Sequence, residues 1–232
     1  MKYFKLFILL KTNSSLGDIY MDDKNYWKEY YAKNSKPTNA STFAEFILPK
    51  LEQDKNLIEL GCGNGRDSIY FAQNKINVIA VDQVQEEMDY LNENHKDENI
   101  SFIGDDFTNL INTQSDLIKN TDFDYVYSRF TFHSINEVKE DKTLDWIEST
   151  LKNGGFFLLE ARSVNDPMFK QGKLLSETEN FTNHYRRYMD LDKIINKLET
   201  RNFEIIFKIE DNNLAVYKDD NPYVIRIIAK KL

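Results

Sequence analysis

Short runs rich in apolar residues alternate with longer amphipathic segments through the middle of the chain. The apolar runs occupy residues 57–60, 77–81, 99–103, 121–127 and 156–161. Runs of this length and composition are typical of buried strands. The pattern predicts five strands with helices between them, and therefore an α/β domain.

The segments before and between these runs have the spacing of helices with one buried face. Phe43, Phe46 and Ile47, for example, share one face of a predicted helix. Asn153 and the two glycines after it are a signal that ends a later helix. The predicted helices cover residues 22–31, 41–51, 68–74, 86–93, 137–151 and 191–198.

The last third of the chain has a different pattern. Strand-like runs at 203–209, 214–217 and 223–228 are joined by short connections. A parallel return needs about a dozen residues or more, so these short connections predict antiparallel pairing. Residues 163–181 have no steady period, and a loop this long in a compact domain is usually functional. We expect that loop to shape a substrate pocket.

The turn after the first strand carries three glycines at alternate positions, Gly61, Gly63 and Gly65. Glycine adopts positive φ easily and lets a ligand approach the backbone, while the following helix presents unpaired N–H groups. The spacing is G-x-G-x-G with Glu59 just ahead of it, whereas a dinucleotide site has G-x-G-x-x-G. The turn therefore predicts a ligand site that lacks the dinucleotide spacing.

Residues 59–65, Glu-Leu-Gly-Cys-Gly-Asn-Gly, resemble motif I of the class I (Rossmann-like) S-adenosylmethionine-dependent methyltransferases. The longer string through Ser68 is most similar to the small-molecule branch that includes the tellurite-resistance methyltransferases. The resemblance implies a three-layer Rossmann-like fold, in which helices cover both faces of a mostly parallel seven-stranded sheet with an antiparallel C-terminal strand. It also implies S-adenosyl-L-methionine as the cofactor and S-adenosyl-L-homocysteine as the product.

The resemblance implies cofactor contacts at the ends of successive strands. Asp82 follows Gly65 by seventeen residues, close to the distance at which an acid meets ribose hydroxyls in nucleotide sites. Asp105 or Asp106 is implied to meet the adenine amino group, and two adjacent carboxylates without further ligands predict no metal. The predicted cofactor-binding residues are Glu59, Gly61, Cys62, Gly63, Gly65, Arg66, Asp82, Gln83, Asp105, Asp106, Phe107 and Arg129.

Arginines and histidines near the later strand ends are candidate substrate groups, because open α/β sheets bind ligands beyond the carboxyl ends of their strands. Guanidinium groups match a carboxylate or phosphate bidentately, so a convergence of arginines predicts an anionic acceptor. A histidine accepts a proton near neutral pH, which makes His133 and His184 the candidate catalytic bases. The predicted substrate-binding residues are Tyr31, Arg129, His133, Arg162, Arg186 and Arg187.

Composition limits the class of partner and the number of domains. The 232 residues are 41% hydrophobic, enough for one α/β domain with a sizeable core. A net charge of −8 argues against a protein that grips nucleic acid. The single cysteine, Cys62, calls for no oxidising compartment, so cytoplasm is the expectation.

The first twenty residues are expected to be a loosely attached extension, with a single domain over 21–232. The start is basic and then apolar, but Lys5 and the polar residues from Lys11 fit a signal peptide poorly. The apolar part is also far shorter than the ~20 residues that span a bilayer.

The resemblance implies in-line methyl transfer from S-adenosylmethionine, and the arginines together with the acidic net charge favour a small anionic metabolite or glycan precursor as the acceptor. Three other functions stay open: a protein or tRNA methyltransferase, a non-catalytic module that binds S-adenosylmethionine, and a nicotinamide-dependent oxidoreductase. A macromolecular acceptor would need a broad exposed docking face, and binding of S-adenosylmethionine without NAD would exclude the oxidoreductase.

Overall fold

The computed structural model describes residues 26–33, 37, 39–96, 99–182 and 184–232. The extension predicted at residues 1–20 and the start of the helix predicted at 22–31 lie outside the described residues. None of the helices within the described residues is long and apolar enough to cross a membrane.

Seven strands form the central sheet, in the order β3-β2-β1-β4-β5-β10-β9. Strands β1 to β5 run parallel, and β10 pairs antiparallel with both β5 and β9. The predicted fold class is therefore confirmed. The strands are β1 Asn56–Leu60, β2 Asn77–Asp82, β3 Ile100–Gly104, β4 Phe123–Arg129, β5 Leu151–Arg162, β6 Lys173–Leu174, β7 Glu179–Phe181, β8 Tyr185–Arg187, β9 Phe203–Asp211 and β10 Val224–Lys231.

Three of the helices begin after residues that cap helices well. The side chains of Ser41, Asn136 and Asp190 each accept a hydrogen bond from a backbone N–H of the first turn that follows. Residues 26–33 are helical and are called α1 here. The others are α2 Thr42–Ile47, α3 Arg66–Gln73, α4 Gln85–Asn94, α5 Asp116–Lys119, α6 Glu137–Thr150 and α7 Leu191–Glu199.

The sheet buries side chains on both faces because successive residues of a strand point to opposite sides. In β1, Ile58 faces a core completed by residues of α6 and α7 such as Leu144 and Leu198. Its neighbour Leu57 faces a second core completed by residues of α2, α3 and α4. Helices on both faces of a sheet give the three-layer arrangement.

Two segments of the last third differ from the expectation. Residues 214–217 do not join the sheet; Val216 and Tyr217 are half exposed, and Tyr217 forms an isolated bridge with Asp220. The segment from 163 contains structure of its own, since β6, β7 and β8 form a small antiparallel sheet. The N–H of Met189, just after β8, donates to Arg162 O of β5 at 2.8 Å and joins this segment to the main sheet.

Candidate active site

The glycine turn lies at the carboxyl end of β1, where the strand order reverses between β2 and β4. The N–H groups of Gly61 and Cys62 donate to Val81 O at 2.8 and 3.0 Å. Gly61, Gly63 and Gly65 have φ of +73°, +56° and +73°. Left-handed backbone of this kind favours glycine. Open α/β sheets bind ligands at such a switch point.

Two neighbouring side chains come so close to the turn that a Cβ would collide with them. At Gly61 the obstacle is Thr131, from the loop after β4. At Gly63 a Cβ would lie 2.6 Å from the hydroxyl oxygen of Tyr31. The turn is therefore enclosed by α1 on one side and the loop after β4 on the other.

Asp82 ends β2 beside this turn and is 7% exposed. Its Oδ2 accepts a hydrogen bond from the Gly63 N–H and its Oδ1 accepts one from the Val84 N–H, both at 3.1 Å. Burial raises the pKa of the carboxyl, and the backbone N–H donors oppose that rise. The lone pairs that these donors leave unused can accept from a ligand.

Glu59 lies under the turn in a buried polar network. Ser68 Oγ donates to its Oε2, and burial together with the Asp67 charge raises the pKa of Glu59 above its usual range. Asp67 Oδ2 in turn accepts from Ser41 Oγ at 2.7 Å and from Tyr127 Oη at 2.9 Å. This network joins β1, α3, β4 and the residue before α2, and it fixes the base of the turn. Arg66 borders it, with Nε 3.8 Å from an oxygen of Asp67.

The two acids after β3 are held by different local hydrogen bonds. The Asp105 N–H donates to Asp82 O at 3.0 Å, and Asp105 Oδ2 accepts from Thr113 Oγ1 at 2.5 Å. Asp106 is exposed, and its Oδ1 accepts from the backbone N–H of Thr108 at 2.9 Å. Asp105 is thus the acid bonded directly to the end of β2. Gln83 and Phe107 are half-buried.

The loop after β4 brings an aromatic ring between two arginines. Phe130 has φ +55°, in the left-handed region that a bulky residue seldom adopts. Its N–H donates to Glu160 O at 2.9 Å. The guanidinium carbons of Arg129 and Arg162 lie 4.3 and 5.7 Å from the centroid of the ring. Strained backbone of this kind clusters at functional sites.

Of the four arginines predicted to bind substrate, three carry carboxylate partners, and the fourth does not within the described residues. Arg186 forms no ion pair in that part of the chain; its Nη1 donates to Thr182 Oγ1 at 2.6 Å. Arg187 points to the other side of β8, and both of its terminal nitrogens are 2.6 Å from the same carboxylate oxygen. The pairs are Arg129 with Glu160, Arg162 with Asp166 and Asp220, and Arg187 with Glu140.

His133 and His184 are both buried, and neither Nδ1 has a hydrogen-bond partner in the described part of the chain. Burial lowers the pKa of His133 well below its usual range, and the charges of Arg162 and Arg186 lower it further. Burial and Arg186 lower the pKa of His184 to about 4. Both imidazoles are therefore neutral at pH 7, with a ring nitrogen able to accept a proton.

Helix α1 contacts both the glycine turn and His184. Its Tyr26 ring stacks on His184 with the centroids 4.3 Å apart, and the centroid of the Trp27 ring is 5.9 Å from that of His184. One turn later, Tyr31 reaches Gly63. Lys28 forms an ion pair with Glu86 of α4. Side chains of this one short helix therefore lie against the glycine turn and against His184.

Tyr26, Phe130 and Glu87 belong to the site and were not among the predicted residues. Glu87 lies on the buried face of α4 with Met88 and Leu91, and its Oε1 has no partner among the described residues. The sequence carried one signal for Glu87. With Met88 and Leu91 it occupies positions i, i+1 and i+4, which lie on one face of a helix. No group of three or more histidine, cysteine or acidic side chains in the described ranges is arranged to hold a metal ion.

Comparison with known families gives a match over most of the chain. The profile of a family described as a methyltransferase domain matches residues 29–207. The chain belongs to this methyltransferase family. A search of curated proteins finds no match.

Three solved structures show how widely this methyltransferase fold is shared. An S-adenosylmethionine-dependent methyltransferase from Methanosarcina mazei is 17% identical with a TM-score of 0.67, over 81% of this chain and 97% of that one. A TehB-like methyltransferase from Corynebacterium glutamicum is 15% identical with a TM-score of 0.62, over 91% and 99%. The Burkholderia thailandensis 1,6-didemethyltoxoflavin-N1-methyltransferase is 16% identical with a TM-score of 0.61, over 94% and 86%. That structure contains 1,6-didemethyltoxoflavin and S-adenosylhomocysteine. At these identities the likeness establishes the fold alone.

Proposed function

We propose that this methyltransferase transfers the methyl group of S-adenosylmethionine to a small anionic acceptor. The observation that carries the proposal is the meeting of two unlike half-sites under α1. One half consists of the glycine turn and Asp82. The other consists of two neutral buried histidines and Arg186, which lacks an acidic partner in the described residues.

The first half-site fits the cofactor. The three glycines at positive φ carry no side chain of their own, which lets a ligand approach the backbone of the turn. The Asp82 carboxylate has lone pairs left to accept from the ribose hydroxyls, and the buried Oε1 of Glu87 nearby has no partner within the described chain. The residues that would hold the cofactor are Gly61, Cys62, Gly63, Gly65, Asp82, Gln83, Asp105 and Phe107.

The second half-site suits an acceptor that loses a proton on methylation. Bound S-adenosylmethionine supplies a methyl group on a positively charged sulfur, which is already an activated donor. The protein then has to position the acceptor nucleophile and exclude water. His133 or His184, both neutral at pH 7, would take the proton that leaves an acceptor N–H or O–H as its lone pair bonds the methyl carbon.

Arg186 would hold the anionic group of the acceptor. A guanidinium with no carboxylate partner in the described chain has donors left for an incoming carboxylate or phosphate. Arg129 and Arg162 lie close by, but each is already paired with an acid. They would shape the positive potential at the pocket, while the rings of Tyr26 and Phe130 would flank the acceptor. Arg187 has no part in this proposal, because its donors are bonded to Glu140.

The test combines binding with turnover. Calorimetry is expected to show binding of S-adenosylmethionine and S-adenosylhomocysteine, and no binding of NAD. Metabolite extracts incubated with a methyl-labelled donor are expected to yield a labelled small anion. Asp82→Ala is the matched control for label that arises without a functional cofactor site. Binding without any labelled product above that control would contradict the catalytic proposal, and label in protein or tRNA alone would contradict the small-molecule acceptor.

A further inference from the structure

Glu87 is a buried acid whose hydrogen bonding the described residues leave incomplete. It is 5% exposed, and its Oε1 has no partner in the described part of the chain. It lies on the face of α4 that also buries Val84, Met88 and Leu91. An apolar side chain would fill such a position at no electrostatic cost, whereas a buried carboxyl without a partner is unfavourable. A ligand that completes the hydrogen bond would account for the glutamate.

The groups that face Glu87 come from three other elements. Asp82 of β2 acts on it electrostatically, and Glu87 in turn acts on Cys62 of the glycine turn and Tyr31 of α1. Burial raises the pKa of Cys62 and of Tyr31 well above their usual ranges, so both stay neutral. Lys28 of α1 pairs with Glu86, the residue before Glu87. Glu87 therefore faces one carboxylate and two neutral groups.

We propose that Glu87 is a second carboxyl of the nucleoside site, which hydrogen-bonds a ribose hydroxyl of S-adenosylmethionine together with Asp82. The proposal rests on the proposed function, since it assigns a further residue to the same cofactor. A ribose hydroxyl both donates and accepts. It donates to the ionised Asp82 and accepts from Glu87 when that carboxyl carries its proton.

Because Glu87 has to be protonated to donate to the ribose, cofactor affinity should depend on pH. Burial and the Asp82 charge raise the pKa of Glu87 to about 7 in the free protein. A bound ribose removes the remaining water and favours the protonated carboxyl further, so binding above pH 7 takes up a proton. Cofactor affinity then falls as the pH rises from 6.5 to 8.5, on the order of tenfold.

Two substitutions separate hydrogen bonding from protonation. Glu87→Gln keeps the shape and a donor but cannot titrate, so its affinity for S-adenosylhomocysteine should match that of the wild type at pH 6.5 and exceed it at pH 8.5. Glu87→Leu removes the hydrogen bond and should weaken binding at both pH values. Glu93→Gln changes the charge of the same helix at an exposed position and serves as the matched control.

Calorimetry with S-adenosylhomocysteine and its 2′,3′-dideoxy analogue tests the contact itself. Glu87→Leu is expected to weaken binding of the ribose form on the order of tenfold and to leave the dideoxy form unchanged; circular dichroism checks that the variant is folded. Equal losses for both ligands would overturn the assignment of Glu87. So would a Glu87→Gln variant that binds like the wild type at both pH values, as the control Glu93→Gln is expected to do. Failure of the wild type to bind S-adenosylhomocysteine at all would instead overturn the proposed function.

Discussion

The hydroxyl of Tyr31 lies against the backbone of Gly63, where a Cβ would be 2.6 Å from Oη. The same helix places Tyr26 on His184 at a centroid distance of 4.3 Å. Gly63 therefore gives room to a side chain from α1 and opens the backbone of the turn at the same time. The position of α1 and the access of a cofactor to the turn both depend on the absence of a side chain at Gly63.

Gly63→Ala should weaken S-adenosylhomocysteine binding more than it weakens the fold. The added Cβ meets left-handed backbone at φ +56°, which costs about 1 kcal/mol, and it also forces Tyr31 away. Calorimetry and urea unfolding measure the two effects. Gly154→Ala is the matched control: its φ is +83°, but the nearest atom to a Cβ is 3.9 Å away. A Gly63→Ala variant that binds like Gly154→Ala would contradict the role of this contact.

Asp82→Ala should reduce cofactor affinity by about 1–3 kcal/mol, the range for removing a buried hydrogen-bonding partner. The loss has two causes. The ribose hydroxyls lose an acceptor, and the Gly63 N–H loses the oxygen to which it donates at 3.1 Å. Calorimetry with S-adenosylmethionine measures it. The control is Asp116→Ala, whose side chain is 87% exposed and whose ion pair with Lys119 is a surface pair. Unchanged affinity of Asp82→Ala would remove the ribose assignment.

The strands, the turn and the class of enzyme could be predicted from the sequence because local signals carry them. In the run 77–81 every residue after Asn77 is apolar, since both faces of the sheet are covered, and the string 59–65 lies on one turn. The resemblance to class I S-adenosylmethionine-dependent methyltransferases is confirmed by the family match and the fold. Residues 214–217 look like a strand, but they lie beside the sheet with half of Val216 exposed.

The arginines show what a sequence cannot reveal. Arg186 and Arg187 are neighbours with the same charge, and their different environments arise from partners far away in the chain. Alternation along β8 turns Arg187 toward Glu140, 47 positions earlier, and turns Arg186 toward the histidines. Glu87 was missed for a related reason, because a glutamate in the first turn of a helix is usually solvated and favoured by the helix dipole.

Arg186→Gln should raise the Michaelis constant for the acceptor on the order of tenfold and leave cofactor binding unchanged. A charged hydrogen bond to an anion would be lost, while the fold would lose only the contact to Thr182 Oγ1. Steady-state kinetics with the identified acceptor and calorimetry with S-adenosylhomocysteine measure the two quantities. An unchanged Michaelis constant would show that the anion lies elsewhere.

Arg187→Gln should have the opposite profile, a loss of stability without a change in the Michaelis constant of folded enzyme. The change breaks a buried pair in which Arg187 is 9% and Glu140 1% exposed. We expect a loss of about 3 kcal/mol, at the lower end for a broken buried pair, because Lys197 still contacts Glu140 at 2.9 Å. Urea denaturation measures the free energy of unfolding. Stability equal to that of Arg186→Gln would contradict the structural role.

His184→Gln should make the protein less sensitive to acid between pH 6.5 and pH 4. Burial and Arg186 lower the pKa of His184 from 6.5 in an unstructured chain to about 4, so over that interval the unfolded state binds a proton that the folded state does not. Stability contributed by the neutral imidazole is therefore complete above pH 6.5 and lost as the pH falls toward 4. The buried acids Glu59 and Glu87, whose pKa values are raised, act in the opposite direction. Comparison of the variant with the wild type at each pH cancels their contribution.

Thermal unfolding at half-unit pH steps gives the difference in stability between His184→Gln and the wild type, with His95→Gln as the control at a histidine outside the site. Parallel curves for His184→Gln and the wild type would mean that the pKa of His184 is the same in the folded and unfolded states, which would contradict the lowered pKa of the buried imidazole.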